Sequence, residues 1–255
     1  MIGNERKQWI RARIRSEASV NTTDVARHFR VSVETIRRDL VELERAGELV
    51  RIYGGATAPQ RKHSSEPPFA SRAGQFSQQR ARIGKAAAAL CQDGQLVFVD
   101  AGATPLEVAK ALAETFDGTI LTVSLLVASE LMDVGKPDVV LAPGRLRRGE
   151  WSVTGAETVK FLERLHFDLA FIGCGGVDGR DGVTAYTMED VANKEAAVHN
   201  SARCWVLADA SKHAVVARAR VADWGDIHGL VTDKEPPAGL ARALHLAGTE
   251  LIVAE

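Results

Sequence analysis

The order of apolar and polar positions divides the chain into two stretches with different rhythms. Over residues 5–17, Trp9, Ile10 and Ile14 fall on one helical face while Arg6, Arg11 and Arg15 take others. Asn21 then stands as an N-cap, with Asp24 at the third helical position giving a start like a capping box. A short helix over residues 22–29 brings Val25 and Phe29 together at i, i+4, and Arg30-Val31 makes a brief turn. Ser32 caps the next helix, which runs to Ala46 with Val33, Ile36, Leu40 and Leu43 inward and Gly47 as its stop. Residues 48–53 alternate as a strand, and Gly54-Gly55 turns it back. Residues 57–79 hold Pro59, Pro67 and Pro68 and no sustained period, the composition of a linker.

From Arg80 the pattern changes. Short apolar runs predict strands at residues 96–99, 120–123, 139–141, 168–172, 204–207, 229–231 and 251–253. Between them, amphipathic periodicity predicts helices at residues 80–90, 105–115, 125–134, 157–165, 189–202 and 239–246. That alternation argues for a mostly parallel sheet with helices on both faces. The fold class is α/β: a winged helix-turn-helix in residues 1–58, a linker in 59–79, and a three-layer α/β/α domain in 80–255.

Two short helices joined by a tight turn form a helix-turn-helix. Glu34, Thr35, Arg37 and Arg38 lie on the first two turns of its second helix, the part that enters a major groove. Arginine bonds guanine bidentately or grips phosphate, and the Ser32 and Thr35 hydroxyls at a helix start suit phosphate oxygens. The strand after Gly47 reads as a wing that brings Arg51 and Tyr53 near the DNA backbone or minor groove, and Arg61 and Lys62 follow in the linker. Periodicity alone also fits a plain three-helix bundle with solvated arginines. Charge favours the first reading. The total is −1, but residues 1–82 hold 16 Lys+Arg against 9 Asp+Glu, a net of +7, and the remainder nets −8.

In parallel sheets ligands bind at the carboxyl ends of strands. Those ends collect unusual residues here. Asp100-Ala-Gly-Ala-Thr-Pro105 follows the first strand of the second stretch and opens a helix, whose free amides form a natural phosphate seat. Pro143-Gly144-Arg145 follows the third strand, Gly173-Cys-Gly-Gly-Val-Asp178 the fourth and Asp209-Ala-Ser-Lys212 the fifth. No G-x-G-x-x-G or P-loop pattern is present, which disfavours a dinucleotide or nucleoside triphosphate. Cys91, Cys174 and Cys204 are far apart and odd in number, the usage of reduced thiols in a cytoplasmic protein. Neither metal-ligand spacing nor an apolar run of membrane-spanning length is found, so no cofactor, metal or membrane is expected.

The string VSVETIRRDLVELERAGELVRIYGGA, Val31 to Ala56, closely resembles the DNA-binding signature of the DeoR/GlpR family of bacterial repressors, VS-x-x-TIRRDL-x-x-L-x-x-x-G-x-x-x-R-x-x-GGA. Glu66, Pro68, Phe69 and Arg72 fit the family's E-x-P-F-x-x-R only with an extra proline inserted. The loops over residues 80–235 resemble the family's sensor domain, with its D-x-G-[ST]-T, TNS, GG-x-x-R, D-x-x-F-x-G-x-x-G, G-x-T and S-S-K motifs. The resemblance implies a sensor fold of the ribose-5-phosphate isomerase/glucosamine-6-phosphate deaminase type. It implies that Asp100, Gly102, Ala103, Thr104, Arg145, Gly173, Gly176, Lys194 and Lys212 surround a phosphorylated sugar. It also implies a repressor of a carbohydrate operon that binds double-stranded DNA as a homodimer or homotetramer and is released by that effector. Three positions depart from the family pattern: Ala103 replaces a hydroxyl residue, Val123 the Asn of TNS, and Pro143 the first glycine of the pair. Either the effector differs from the common hexose and glycerol phosphates or other loops compensate. A rival reading is an isomerase- or deaminase-like enzyme using Asp178 and Glu189 as acid and base. Against it, the deaminases' D-G-H-[IL]-A-F-N-E stretch is replaced by D-G-V-T-A-Y-T-M-E at residues 181–189, without the histidine.

Overall fold

A computed structural model describes residues 2–17, 19–45, 48–52, 54–57, 66, 69, 74, 76–134 and 136–255. The chain separates into two compact units, Met1–Lys62 with Pro237–Gly239, and His63–Pro236 with Leu240–Glu255. Tyr53, Gly47, Arg61, Lys62, Pro59, Pro67, Pro68 and Arg72, singled out above, lie outside the described residues.

The first unit runs α1 (Ile2–Glu17), β1 (Ser19–Asn21), α2 (Thr22–Phe29), α3 (Val33–Arg45), β2 (Val50–Ile52) and β3 (Gly55–Thr57). Ile10, Ile14, Val25, Ile36, Leu40 and Leu43 meet in its core. Val33, expected inward, is 36% exposed because the buried stripe of α3 begins at Ile36. Asn21 caps α2 by accepting from the amides of Thr23 (2.8 Å) and Asp24 (3.4 Å). Asp24 turns instead to Arg27, at 3.1 Å, so the capping box is not completed from that side. Arg30, at φ 52°, closes α2 in the left-handed region, and this single residue makes the tight turn. β1 carries no signal of its own, since its three residues hold one buried side chain, Val20. It exists because β3 pairs with it, giving the antiparallel order β1-β3-β2. Gly55 makes that approach possible: a Cβ there would stand 2.0 Å from the carbonyl oxygen of Val20. The turn itself falls on Gly54, at φ +80°.

Ion pairs fasten α1 to the rest. Asp39, buried on α3, accepts two bonds from the Arg6 guanidinium, at 2.7 and 3.1 Å. Arg11 pairs with Glu48 and Lys7 with Glu42. The sequence pattern set Arg6 and Arg11 on faces away from Trp9, Ile10 and Ile14, yet Arg6 is buried.

The second unit begins with α4 (Ser77–Ala88), then β4 (Leu96–Val99), α5 (Ala103–Leu112), β5 (Thr119–Thr122), α6 (Leu125–Val134) and β6 (Asp138–Leu141). A hairpin of β7 (Arg145–Arg147) and β8 (Ser152–Thr154) precedes α7 (Ala156–Leu162) and β9 (Phe167–Gly173). β10 (Gly176–Asp178) and β11 (Gly182–Ala185) lead to α8 (Met188–His199) and β12 (Ser201–Leu207). The chain closes with β13 (Ala219–Ala222), β14 (Gly229–Thr232), α9 (Ala238–Ala247) and β15 (Glu250–Val253). Each strand and helix expected over residues 80–255 is present, with ends that coincide or shift by up to three residues. The hairpin and the small antiparallel sheet β10-β11-β13 were not anticipated, because strands of three or four residues leave no measurable period.

Seven strands pair in parallel in the order β15-β14-β12-β9-β4-β5-β6. Alternating side chains serve two cores, one per face. Phe98, Ile172 and Val206 point into one, and Val97, Phe171 and Leu207 into the other. The chain enters at β4, runs outward to β6, then returns to the other side of β4 as β9. Strand order therefore reverses between β4 and β9, and a crevice must open between the loops that leave them.

Candidate functional site

On the first unit, α3 presents Ser32, Glu34, Arg37 and Arg38 to solvent, with Thr35 half-exposed. The Ser32 hydroxyl accepts from the Thr35 amide at 3.2 Å and meets the Thr35 hydroxyl at 2.8 Å, so both hydroxyls mark the helix start. Arg37 is only loosely engaged by Glu34, at 3.5 Å one turn earlier. Such exposed pairs contribute little and exchange readily for a phosphate or base edge. Arg51 is placed differently: Glu44 of α3 accepts from both its amide (3.0 Å) and its guanidinium (2.7 Å). That grip draws the Glu44 pKa below the usual carboxylate range. It also fixes β2 to α3, so Arg51 braces the end of that helix while its guanidinium stays partly exposed.

On the second unit, a cleft with a cavity volume of about 50 Å³ opens at the reversal between β4 and β9. Gly102, Ala103, Thr104, Gly173, Lys194 and Lys212 line it, as do Glu66, Arg80, Arg147, Glu150, Ser152, Cys174, Tyr186 and Asp190. α5 starts on its floor. Its cap residue Gly102 holds φ +139° and offers no side-chain cap, so the first-turn amides of Ala103 and Thr104 face the cleft without a helical partner. Lys212 sits in a short 3-10 turn whose start is capped by Asp209, which accepts from the Ser211 amide at 3.0 Å. Buried Arg80, on α4, donates to Asp209 at 3.3 Å and so braces this turn from 129 residues away. Among the described residues the Lys212 ammonium has neither an ion-pair nor a hydrogen-bond partner.

Under the cleft lies a tightly bonded group. Asp100, 1% exposed, accepts from the Gly173 amide at 3.0 Å and from Lys194, tying the ends of β4 and β9 together. Lys194 also reaches Asp190, at 2.8 Å. Burial opposes the Lys194 charge, but the two carboxylates overcome it and hold its pKa above the ordinary lysine value. Burial also pushes the Asp100 carboxyl up, with Lys194 working against it. An ammonium so locked is a fixed positive charge, not a proton carrier. Burial pushes the Cys174 thiol up to about 12, so it is no nucleophile at neutral pH.

Several expectations shift. Asp100 lies beneath the cleft as a brace. Gly176 does not line it, and a Cβ there would meet the Val215 carbonyl oxygen at 2.2 Å, so its smallness serves packing. Arg145 is exposed and outside the cleft, whereas Arg147 lines it. In the hairpin Arg147 pairs with Ser152 at the cleft, while Arg145 stands two residues back opposite Thr154. Counting the family's GG-x-x-R spacing from Pro143-Gly144 lands on Arg147, the signal that would have found it. Arg147, Glu150 and Ser152 add polar groups to the cleft lining that the sequence motifs did not single out. Val123 itself is buried outside the cleft, and Ser124 caps α6 through the Val127 amide at 3.3 Å. Asp178 and Glu189, considered as acid and base, do not line the cleft. Asp178 instead closes a turn by accepting from the amides of Arg180 (2.8 Å) and Asp181 (3.2 Å).

The chain matches the DeoR-like helix-turn-helix domain over residues 6–62 and the DeoR C terminal sensor domain over residues 75–234. It is 29% identical to the glycerol-3-phosphate regulon repressor of Escherichia coli over 91% of both chains. It is 31% identical to the transcriptional repressor GlcR of Bacillus subtilis over 92% of this chain and 90% of that one. To the regulator GlpR of Haloferax volcanii it is 32% identical, over 99% and 98%. Ribose 5-phosphate isomerase of Methanocaldococcus jannaschii aligns over 54% of this chain and 55% of its own, at 17% identity and a TM-score of 0.40, too distant to carry weight. Two adjoining domain matches that span nearly the whole chain, with full-length regulators as relatives, place it in the DeoR family: it is a DNA-binding transcriptional regulator and not an enzyme.

Proposed function

We propose that this regulator represses a carbohydrate-utilisation operon in the cytoplasm as a homodimer or homotetramer, and leaves its operator when a phosphorylated sugar occupies the cleft between β4 and β9. One observation carries the effector class: the unpartnered Lys212 ammonium faces the same cleft as the uncapped start of α5. A cation and free helix amides together form a seat for a phosphoryl group. Residues 1–58 would hold the operator, with Ser32, Glu34, Thr35, Arg37 and Arg38 at the bases and phosphates. Residues 59–79 would connect them to the sensor. Two copies set the recognition helices about 34 Å apart, one helical turn of DNA.

Effector and operator are coupled only if the ligand binds the DNA-free geometry more tightly. Thermal-shift titration of the full chain with sugar phosphates, followed by mobility shift of its own upstream DNA with and without the best stabiliser, tests the reading. Stabilisation by phosphate esters but not by their parent sugars, with loss of the DNA complex, is expected. No shifted DNA at low salt would end the operator reading; no stabilisation by any phosphate ester would end the effector reading.

A further inference from the structure

Four cations line the cleft, and three are already engaged. Lys194 is held by Asp100 and Asp190, Arg80 by Asp209, and Arg147 by Glu66. The first two pairs join elements of the sensor fold. The third differs in origin. Glu66 belongs to the segment between the two domain matches, nine positions beyond the last residue of β3. Its carboxylate nevertheless reaches the cleft wall and is 15% exposed, with the Arg147 guanidinium at 22%. A guanidinium presents a planar fork shaped for a carboxylate or phosphate. Here that fork is filled by a carboxylate that the chain itself supplies, in a cleft that Lys212 and the start of α5 also line.

We propose that Arg147 is a second anion subsite, occupied by Glu66 in the ligand-free protein, and that the cleft selects an effector with two anionic groups. A phosphoryl group takes Lys212 and the α5 amides; a carboxylate or second phosphoryl group displaces Glu66 from Arg147. The loss of the hydroxyl at Ala103 agrees with this, because a neutral sugar finds fewer polar partners there and a charged one gains the guanidinium. The inference rests on the phosphate-seat reading and adds the second charge and its residue.

The test uses matched ligands on the full-length protein by calorimetric titration. Glycerol 3-phosphate is compared with 3-phosphoglycerate and glucose 6-phosphate with 6-phosphogluconate, each pair differing by a carboxylate. Fructose 6-phosphate against fructose 1,6-bisphosphate asks the same of a second phosphate. At least one two-anion ligand is expected to bind about tenfold or more tightly than its partner, and which pair responds identifies the second group. Arg147→Gln should erase that preference while leaving the single-phosphate ligand unchanged, which also shows that the variant is folded. Glu66→Gln, by removing the competing charge, should tighten the two-anion ligand several-fold and leave its partner unmoved. Equal affinity within all three pairs, or an Arg147→Gln that weakens both members alike, would overturn the proposal while leaving the seat intact. If no phosphate ester binds, inorganic phosphate included, the seat itself falls and this inference with it.

Discussion

Arg37 and Arg38 of the helix-turn-helix unit stand in solvent, whereas Lys194 and Arg80 of the α/β unit are buried against carboxylates. The difference follows from the partners. A DNA duplex presents its charge as a long exposed surface, so cations that meet it are best left in solvent and at most loosely paired, and binding gains by releasing counterions. A small anion must be taken from water into a cleft, so the cations there are fixed beforehand and their own burial is offset by carboxylates. One unit therefore loses function when a surface cation is removed, and the other loses structure when a buried one is. The same contrast bears on how a body whose residues 83–255 net −8 can attract a phosphate: the cleft's carboxylates engage Lys194, Arg80 and Arg147, and Lys212 is the cation left without a partner among the described residues.

The largest effect should come from the buried pair beneath the cleft. Lys194→Met leaves the Asp100 carboxyl buried without its ammonium, a loss of about 3–5 kcal/mol for a broken interior ion pair. Chemical denaturation should show the α/β unit destabilised by that order, and an unchanged midpoint would show that Asp100 simply takes up a proton at no cost. Next is Lys212→Ala. With no partner to lose, the chain should keep its stability, yet its affinity for the stabilising phosphate ester should fall by about 1.5–3 kcal/mol, the range for a charged hydrogen bond. Operator binding without effector should not change. A destabilised Lys212→Ala variant would contradict the contrast drawn here.

Arg37→Ala sharpens the other side. Among the described residues it bonds to Glu34 alone, and loosely, so folding should be unaffected. Operator affinity should fall by about 1–3 kcal/mol if the guanidinium reads a base, with random DNA barely changed. Equal losses on both DNAs would reduce it to a phosphate contact.

How much of this was legible follows the same division. The exposed face at the start of α3 was, because Ser32, Glu34, Thr35, Arg37 and Arg38 lie within seven residues and one helical period relates them. The parallel sheet was, because its strands are apolar runs bounded by polar turns. The cleft was legible only where a loop stands directly after a strand, as at Gly102, Gly173 and Lys212. Arg80, Glu66, Arg147 and Tyr186 reach it from elements distant in sequence, and no local period encodes such a meeting. Arg6 with Asp39 shows the same limit in the smaller unit: each is an ordinary helix-surface residue until 33 positions of chain bring them face to face.

The smallest effect is one of pH, and it lies beside the seat. His213 follows Lys212 and meets the Thr232 hydroxyl at 2.9 Å. Burial lowers its pKa from the ordinary 6.5, and nearby Asp233 and Asp209 only partly restore it. A histidine with a depressed folded pKa binds fewer protons in the folded state than in the unfolded one as pH falls below 6.5. Its neutral form therefore supports the fold fully above that pH, and the support is lost as the pH falls toward the folded pKa. The melting temperature should decline on acidification below pH 6.5, and His213→Gln, which keeps a polar group without the titration, should flatten that decline. The seat should weaken over the same range, because an imidazolium beside the Lys212 turn disturbs the packing that Asp209 and Arg80 hold in place. If the variant's melting curve tracks the wild type at every pH, His213 does not carry the dependence, and the acid sensitivity belongs to the buried carboxylates that pair with the cleft's cations.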